Sequence, residues 1–126
     1  MKTLAIIKPD AVAKGSVGFC LQMAETAGLR IWDMRFVQLS RLSAGVFYFE
    51  HADKNFYPKL VDFMTSGPCV VVALEGENAI KQWRETMKGI RVVEQDPDHS
   101  ERNAVHGSDS EEAAKRELDF FFGMEA

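Results

Sequence analysis

The period of the apolar positions changes along the chain, and each change marks an element. Leu4-Ala5-Ile6-Ile7 is a continuous apolar run closed by Lys8-Pro9-Asp10. Such a run suits a fully buried strand, and the proline, which has no N–H to donate, ends it. From Val17 to Ala27 the spacing turns helical, with Val17, Cys20, Leu21 and Ala24 in register and Gly28 placed as the cap. Ile31 to Leu39 alternates imperfectly between apolar and polar residues, and its β-formers predict a strand. Ser40 begins a helix carrying Val46, Phe47 and Phe49. A second helical stretch runs from Phe56 to Met64, until Ser66-Gly67-Pro68 breaks it. Cys69-Val70-Val71-Val72-Ala73-Leu74 is the clearest strand in the chain. Glu75-Gly76-Glu77 turns into a helix through about Met87, with Ile80, Trp83 and Met87 in register. Gln95 to Asn103, rich in Asp, Glu, Ser and Pro, reads as a loop. Ser108 to Phe121 reads as a final helix, and both Ser108 with Glu111 and Asp109 with Glu112 fit capping-box spacing.

Strands and helices in mixed order, with only about four strands, predict an α+β sandwich. The chain has no internal repeat and no linker-like segment, so residues 1–126 read as one domain. Its 126 residues, 46% hydrophobic and 27% charged, suffice for a core that needs no disulfide or metal. Cys20 and Cys69 lie alone in apolar segments and read as buried reduced thiols. The formal charge of -4 argues against a protein that coats nucleic acid. No apolar run approaches the ~20 residues that cross a bilayer. The run before Lys8 is too short for the core of a signal peptide. These features together predict a cytoplasmic protein.

Candidate chemistry starts from three histidines, His51, His99 and His106. A lone histidine is most often structural or exposed, and His51 and His99 keep that reading. His106 differs. It lies in Asn103-Ala104-Val105-His106-Gly107-Ser108-Asp109-Ser110, between an apolar step and a helix start. Gly107 gives the backbone room, and a helix N-terminus offers unpaired N–H groups to an anion. A neutral imidazole beside an anion site is a nucleophile suited to phosphorus. Ser108, Asp109 and Glu117 are placed to orient the ring. Taken singly, Lys8 also reads as a surface lysine, Phe56 as core, Arg84 as a solvated helix residue, Asn103 as a turn former, and Ser108 and Asp109 as caps.

The stretch Asn103 to Ser110 resembles the active-site signature of nucleoside diphosphate kinases. Thr3-Leu4-Ala5-Ile6-Ile7-Lys8-Pro9-Asp10-Ala11-Val12 resembles that family's first strand and its lysine. Phe47-Tyr48 and Leu60-Val61-Asp62-Phe63-Met64-Thr65-Ser66-Gly67-Pro68 are similar to its nucleotide-clamping helices. Leu74-Glu75-Gly76-Glu77-Asn78-Ala79 is similar to the entry to its next helix. The likeness is co-linear over nearly the whole chain.

The resemblance implies a ferredoxin-like α/β sandwich, a four-stranded antiparallel sheet covered by helices. It implies ping-pong transfer of the γ-phosphoryl from a nucleoside triphosphate, typically ATP, to a nucleoside diphosphate, maintaining triphosphate pools. His106 would carry the phosphoryl as phosphohistidine, with Mg2+ on the phosphates and Asp109 close to it through water. Lys8 and Tyr48 would sit by the transferred group, and Arg84 and Arg91 would hold the phosphates. Asn103 and Lys8 would contact the ribose. Phe56 would stack on the base with Leu60 beside it, and Ser108 and Glu117 would fix the imidazole. Stacking on Phe56 is indifferent to the base, which is the expected basis of broad specificity. The implied partners are nucleoside di- and triphosphates and further copies of the chain, as a homodimer or higher homo-oligomer, with no membrane and no specific nucleic acid. No GxxxxGK[ST] phosphate loop is present, and the family needs none.

After Arg84 the chain departs from the family pattern. Glu85-Thr86-Met87-Lys88-Gly89-Ile90-Arg91 reaches the second arginine almost at once, and the phosphate-touching threonine has no equivalent. The covering loop is therefore expected to be short and the nucleotide site more open. The alternative reading is a weakly active or inactive nucleotide-binding or regulatory relative. The C-terminus is also short, ending soon after Phe122.

Overall fold

The computed structural model describes residues 1–94 and 103–123. The expected loop from Gln95 and His99 within it lie outside the described residues, apart from Asn103. The elements run β1 (Lys2–Ile7), α1 (Pro9–Ala13), α2 (Val17–Thr26), β2 (Arg30–Val37), α3 (Arg41–Phe47), a 3-10 turn (Phe49–His51), α4 (Tyr57–Met64), β3 (Cys69–Glu75), α5 (Ala79–Glu94), β4 (Val105–Gly107) and α6 (Glu111–Phe122).

The four strands form one sheet in the order β2-β3-β1-β4. Every pairing is antiparallel, with Ile6 opposite Val71 on one side and opposite His106 on the other. This is the ferredoxin-like α+β arrangement that the resemblance implies. Helices cover both faces of the two central strands, which explains their unbroken apolar sequences. Leu4 and Ile6 join Cys69, Val71 and Ala73 on one face, under Phe47, Met64 and Leu118 from α3, α4 and α6. Ala5 and Ile7 join Val70, Val72 and Leu74 on the other, under Cys20, Trp83, Met87 and Ile90 from α2 and α5. Strand β2 is an edge. It carries an irregularity between Ile31 and Asp33, and its Trp32, Met34 and Phe36 are exposed.

Three boundaries differ from the sequence expectation. The helix expected to end near Met87 continues to Glu94. Ile90 extends the buried register of Trp83 and Met87, and that burial outweighs the ~1 kcal/mol cost of Gly89 inside the helix. The last helix starts at Glu111, not Ser108. Ser110 is its N-cap and accepts a bond from the Ala113 N–H. Ser108 cannot cap, because it is fully buried and its hydroxyl is used elsewhere. Phe49 falls in the 3-10 turn and is exposed, not part of α3. Gly28 follows α2 with φ +89°, the left-handed conformation that a glycine cap adopts freely. Among the described residues no helix is long and apolar enough to cross a membrane.

Candidate active site

The site is built around β4, three residues long and paired only with β1. The turn into it is strained: Ala104 is a non-glycine residue at φ 70°. Asp10 holds this turn by accepting the Ala104 N–H at 3.1 Å, and the Ala104 carbonyl accepts the Lys8 N–H at 2.7 Å. At the other end the Ser108 N–H donates to the Leu4 carbonyl at 3.2 Å. Helix α5 then grips the strand's carbonyls. Trp83 Nε1 donates to the His106 carbonyl at 2.9 Å, Arg84 Nη1 to Gly107 at 3.4 Å, and Arg91 Nη2 to Val105 at 2.9 Å. Gly107 has to be glycine. A Cβ there would lie 2.6 Å from both Met87 Sδ and Trp83 Cδ1.

His106 lies opposite Ile6, so its ring enters the face covered by α3, α4 and α6. The Phe47 ring meets it edge-on at 5.9 Å between centroids. Glu117, on the buried side of α6, places Oε1 3.0 Å from His106 Nε2 and 2.8 Å from Ser108 Oγ. Ser108 Oγ in turn accepts the Leu4 N–H at 3.2 Å. A carboxylate oxygen accepting from both groups fixes the tautomer: the proton sits on Nε2 and the lone pair on Nδ1. The imidazole is thereby held through Nε2, which leaves Nδ1 as the nitrogen that can face a ligand.

The other expected residues differ in burial and in partners. Lys8 is buried, which removes the surface reading, and Lys8 Nζ donates to Asn103 Oδ1 at 2.6 Å. Tyr48 is buried, its ring 4.9 Å from Phe47, and its hydroxyl has no partner among the described residues. Burial above all, then Cys69 and Glu117, raises the phenol pKa, so the group remains a proton donor. Leu60 is buried with Phe47 and Tyr48. Phe56, in contrast, is exposed beside His51 at the start of α4, which removes the core reading. Arg84 and Arg91 stand about two turns apart on α5. Burial, then the charge of Arg84, lowers the Arg91 pKa. Arg84 lines an open cavity of about 560 Å³ with Lys88 and Ser110. Asp109 is exposed.

Among the described residues no cluster of three or more His, Cys, Asp or Glu could hold a metal by itself. One exposed carboxylate nonetheless suits Mg2+, which keeps several waters and takes its remaining ligands from substrate phosphates. Sequence reasoning does not single out Asp10, Trp83 or Arg116 for the site. Trp83 reads as core from its helical spacing, and only tertiary pairing sets its indole N–H against the His106 carbonyl.

Comparison with known proteins agrees with this geometry. The family model described as nucleoside diphosphate kinase matches residues 1–126. A nucleoside diphosphate kinase from Nitratiruptor sp. is 49% identical, with 98% of this chain and 96% of the relative covered. One from Campylobacter hominis is 47% identical, with 96% and 94% covered. The solved structure of the Aquifex aeolicus nucleoside diphosphate kinase superposes with TM-score 0.85 at 37% identity, covering 96% of this chain and 94% of that one. A halophilic nucleoside diphosphate kinase from Halobacterium salinarum, in complex with CDP, gives TM-score 0.86 at 33% identity, covering 98% and 88%. The chain belongs to the nucleoside diphosphate kinase family, and its activity is that family's phosphotransfer between nucleoside triphosphates and diphosphates.

Proposed function

We propose that His106 is the carrier of the phosphoryl group and that the residues gathered around it divide the work of one ping-pong cycle. Nδ1 attacks the γ-phosphorus of a nucleoside triphosphate, typically ATP, and the diphosphate leaves. A second diphosphate enters and attacks the phosphohistidine, which regenerates the neutral ring and maintains the nucleoside triphosphate pools. The observation that carries this reading is the Glu117 bond to Nε2, which leaves Nδ1 unprotonated and facing away from the protein's own acceptor.

Phosphoryl transfer asks a protein mainly for positioning and charge compensation. Lys8 and the Tyr48 phenol stabilise the transferring oxygens, and the unpartnered Tyr48 hydroxyl supports this role. Arg84 and Arg91 bind the phosphates by charge-assisted hydrogen bonds. Asn103, already bonded to Lys8, contacts the ribose together with it. Phe56 supplies an exposed stacking face for the base, with Leu60 beneath the clamp. Ser108 and Glu117 hold the imidazole. Mg2+, when bound, would neutralise the phosphate charge, and Asp109 is the residue that would help to hold it. The extension of α5 to Glu94 accounts for the short covering segment after Arg84, which leaves the nucleotide more open to solvent. The apolar row Trp32, Met34 and Phe36 on the open edge of β2 suits a homodimer face.

The test is chemical. Wild-type chain mixed with γ-labelled ATP and Mg2+ acquires an acid-labile, base-stable label and passes it to a second diphosphate. His106→Ala does neither. A wild-type chain that exchanges phosphate without ever carrying the label refutes the carrier.

A further inference from the structure

Glu117 uses one oxygen, Oε1, for both Ser108 and His106. Its other oxygen, Oε2, lies 3.7 Å from Arg116 Nη2, and the same nitrogen lies 3.2 Å from Glu50 Oε1 in the turn after Tyr48. Neighbouring residues on a helix point about 100° apart and do not ordinarily meet. Here Glu50 draws the Arg116 side chain sideways across α6 until it reaches the carboxylate of the next residue.

We propose that Arg116 is a positioning residue for phosphoryl transfer: it neutralises the outer oxygen of Glu117, so that the carboxylate stays ionised and keeps its inner oxygen on the Nε2–H of His106. Glu117 is 4% exposed. A buried carboxylate requires compensation, and the neutral ring of the attacking nucleophile brings no charge. The Ser108 hydroxyl provides a hydrogen bond but no charge either. Among the described residues the groups set against Glu117 are His106 from β4, Ser108 from the turn before α6, the Tyr48 phenol from the end of α3 and Arg116 itself, with Glu50 from the 3-10 turn on the far side of the guanidinium. Lys8, at the start of α1, is a further cation in the site and is engaged with Asn103. Glu50 adds a second negative charge, which increases the need for the guanidinium between the two carboxylates.

The sign of the effect follows. Without the guanidinium, Glu117 takes up a proton more readily. While ionised, it also holds a proton on the imidazole more tightly. Both changes deplete the pairing of neutral His106 with ionised Glu117 at the acid end. The acid limb of phosphohistidine formation therefore moves to higher pH.

The inference rests on the phosphohistidine reading, and one experiment separates the two. Rapid-quench labelling from γ-labelled ATP with Mg2+ is run between about pH 5 and 9 on full-length wild type, Arg116→Met and Arg116→Lys. The Met variant is expected to shift the acid limb up by about half to one pH unit, a three- to tenfold slower reaction at the acid end. The Lys variant, which restores the charge, keeps the wild-type limb. Arg116 is half-exposed, so both are expected to fold; Arg116→Gln and a nitrogen-15 NMR titration of His106 make the same comparison independently of turnover. A Met variant with the wild-type limb and wild-type His106 titration overturns the positioning role, even if its melting temperature falls. A wild type that takes up no label overturns the carrier reading and this inference with it.

Discussion

Substituting Gly107 by alanine adds one methyl group directly after His106, and its consequences can be worked from distances. The new Cβ would lie 2.6 Å from Met87 Sδ, 2.6 Å from Trp83 Cδ1 and 3.0 Å from Trp83 Nε1. Favourable contacts between such atoms are about 3.5–4.0 Å, so the overlap is about 1 Å. The thioether of Met87 can swing away. The indole cannot do so freely, because Trp83 is 2% exposed and its N–H is bonded to the His106 carbonyl. Either the indole or β4 has to move. Overpacking of this kind costs about 1–3 kcal/mol, and loss of the indole hydrogen bond costs about 1 more. The variant is expected to melt about 8–15 °C lower, as followed by circular dichroism. A shift of about 1 Å at the proposed carrier, His106, predicts a rate roughly 100-fold lower in a coupled assay run where both proteins are folded. Gly89→Ala is the control. Its Cβ would meet only Met23 Cε, at 3.6 Å, inside α5, so it should stabilise by about 0.5–1 kcal/mol. A Gly107→Ala protein that melts within about 2 °C of wild type with half its activity would refute the account of this contact.

Other outcomes follow from the same geometry. Tyr48→Phe removes a buried hydroxyl that has no partner among the described residues, so melting should hold or rise slightly while phosphohistidine formation slows about tenfold or more; a lower melting temperature at full activity reverses that assignment. Ser108→Ala leaves the Leu4 N–H without its acceptor and takes a donor from Glu117, a loss of about 2–3 kcal/mol in urea unfolding; a change under about 0.5 kcal/mol contradicts it. Phe56→Ala should raise the Michaelis constant about tenfold for purine and pyrimidine diphosphates alike, whereas an effect confined to one base rules out simple stacking. Burial pushes the Cys69 thiol up from about 9 to about 11. Because the folded chain resists ionisation here, its contribution to stability is complete below about pH 9. That contribution should fall by at most about 1.4 kcal/mol per pH unit until pH 11, and a Cys69→Ala chain should lack this part of the slope in denaturant titrations.

Glu117 and Ser108 illustrate why the site was only partly legible in the sequence. Both could be singled out as partners for His106, but spacing alone left Ser108 readable as a helix cap. The structure decides otherwise because the Leu4 N–H, 104 residues away in sequence, occupies its hydroxyl. The cap then passes to Ser110, two residues later. Lys8 and Phe56 resolve in opposite directions. The lysine that also read as surface is buried on Asn103, 95 residues distant, and the phenylalanine that also read as core stands exposed. Arg91 was assigned by likeness to a phosphate, and in the structure it donates to the Val105 carbonyl. The end of α5 was readable in principle, since Ile90 continues the register of Met87, but Gly89 obscured it.

The sequence by itself determined what local periodicity and local chemistry can determine. It marked the two central strands as buried apolar runs, the longer helical stretches and most of their stops, and the histidine signature with its family; the short α1, Pro9–Ala13, was not read from it. Tertiary structure decided what depends on partners far along the chain. A three-residue strand such as β4 is too short to carry a period of its own, so its register comes from β1. The charge balance around Glu117 likewise exists only where α6, the 3-10 turn and β4 converge. Burial and hydrogen bonding act between surfaces in space, and those surfaces meet only once the sheet has formed.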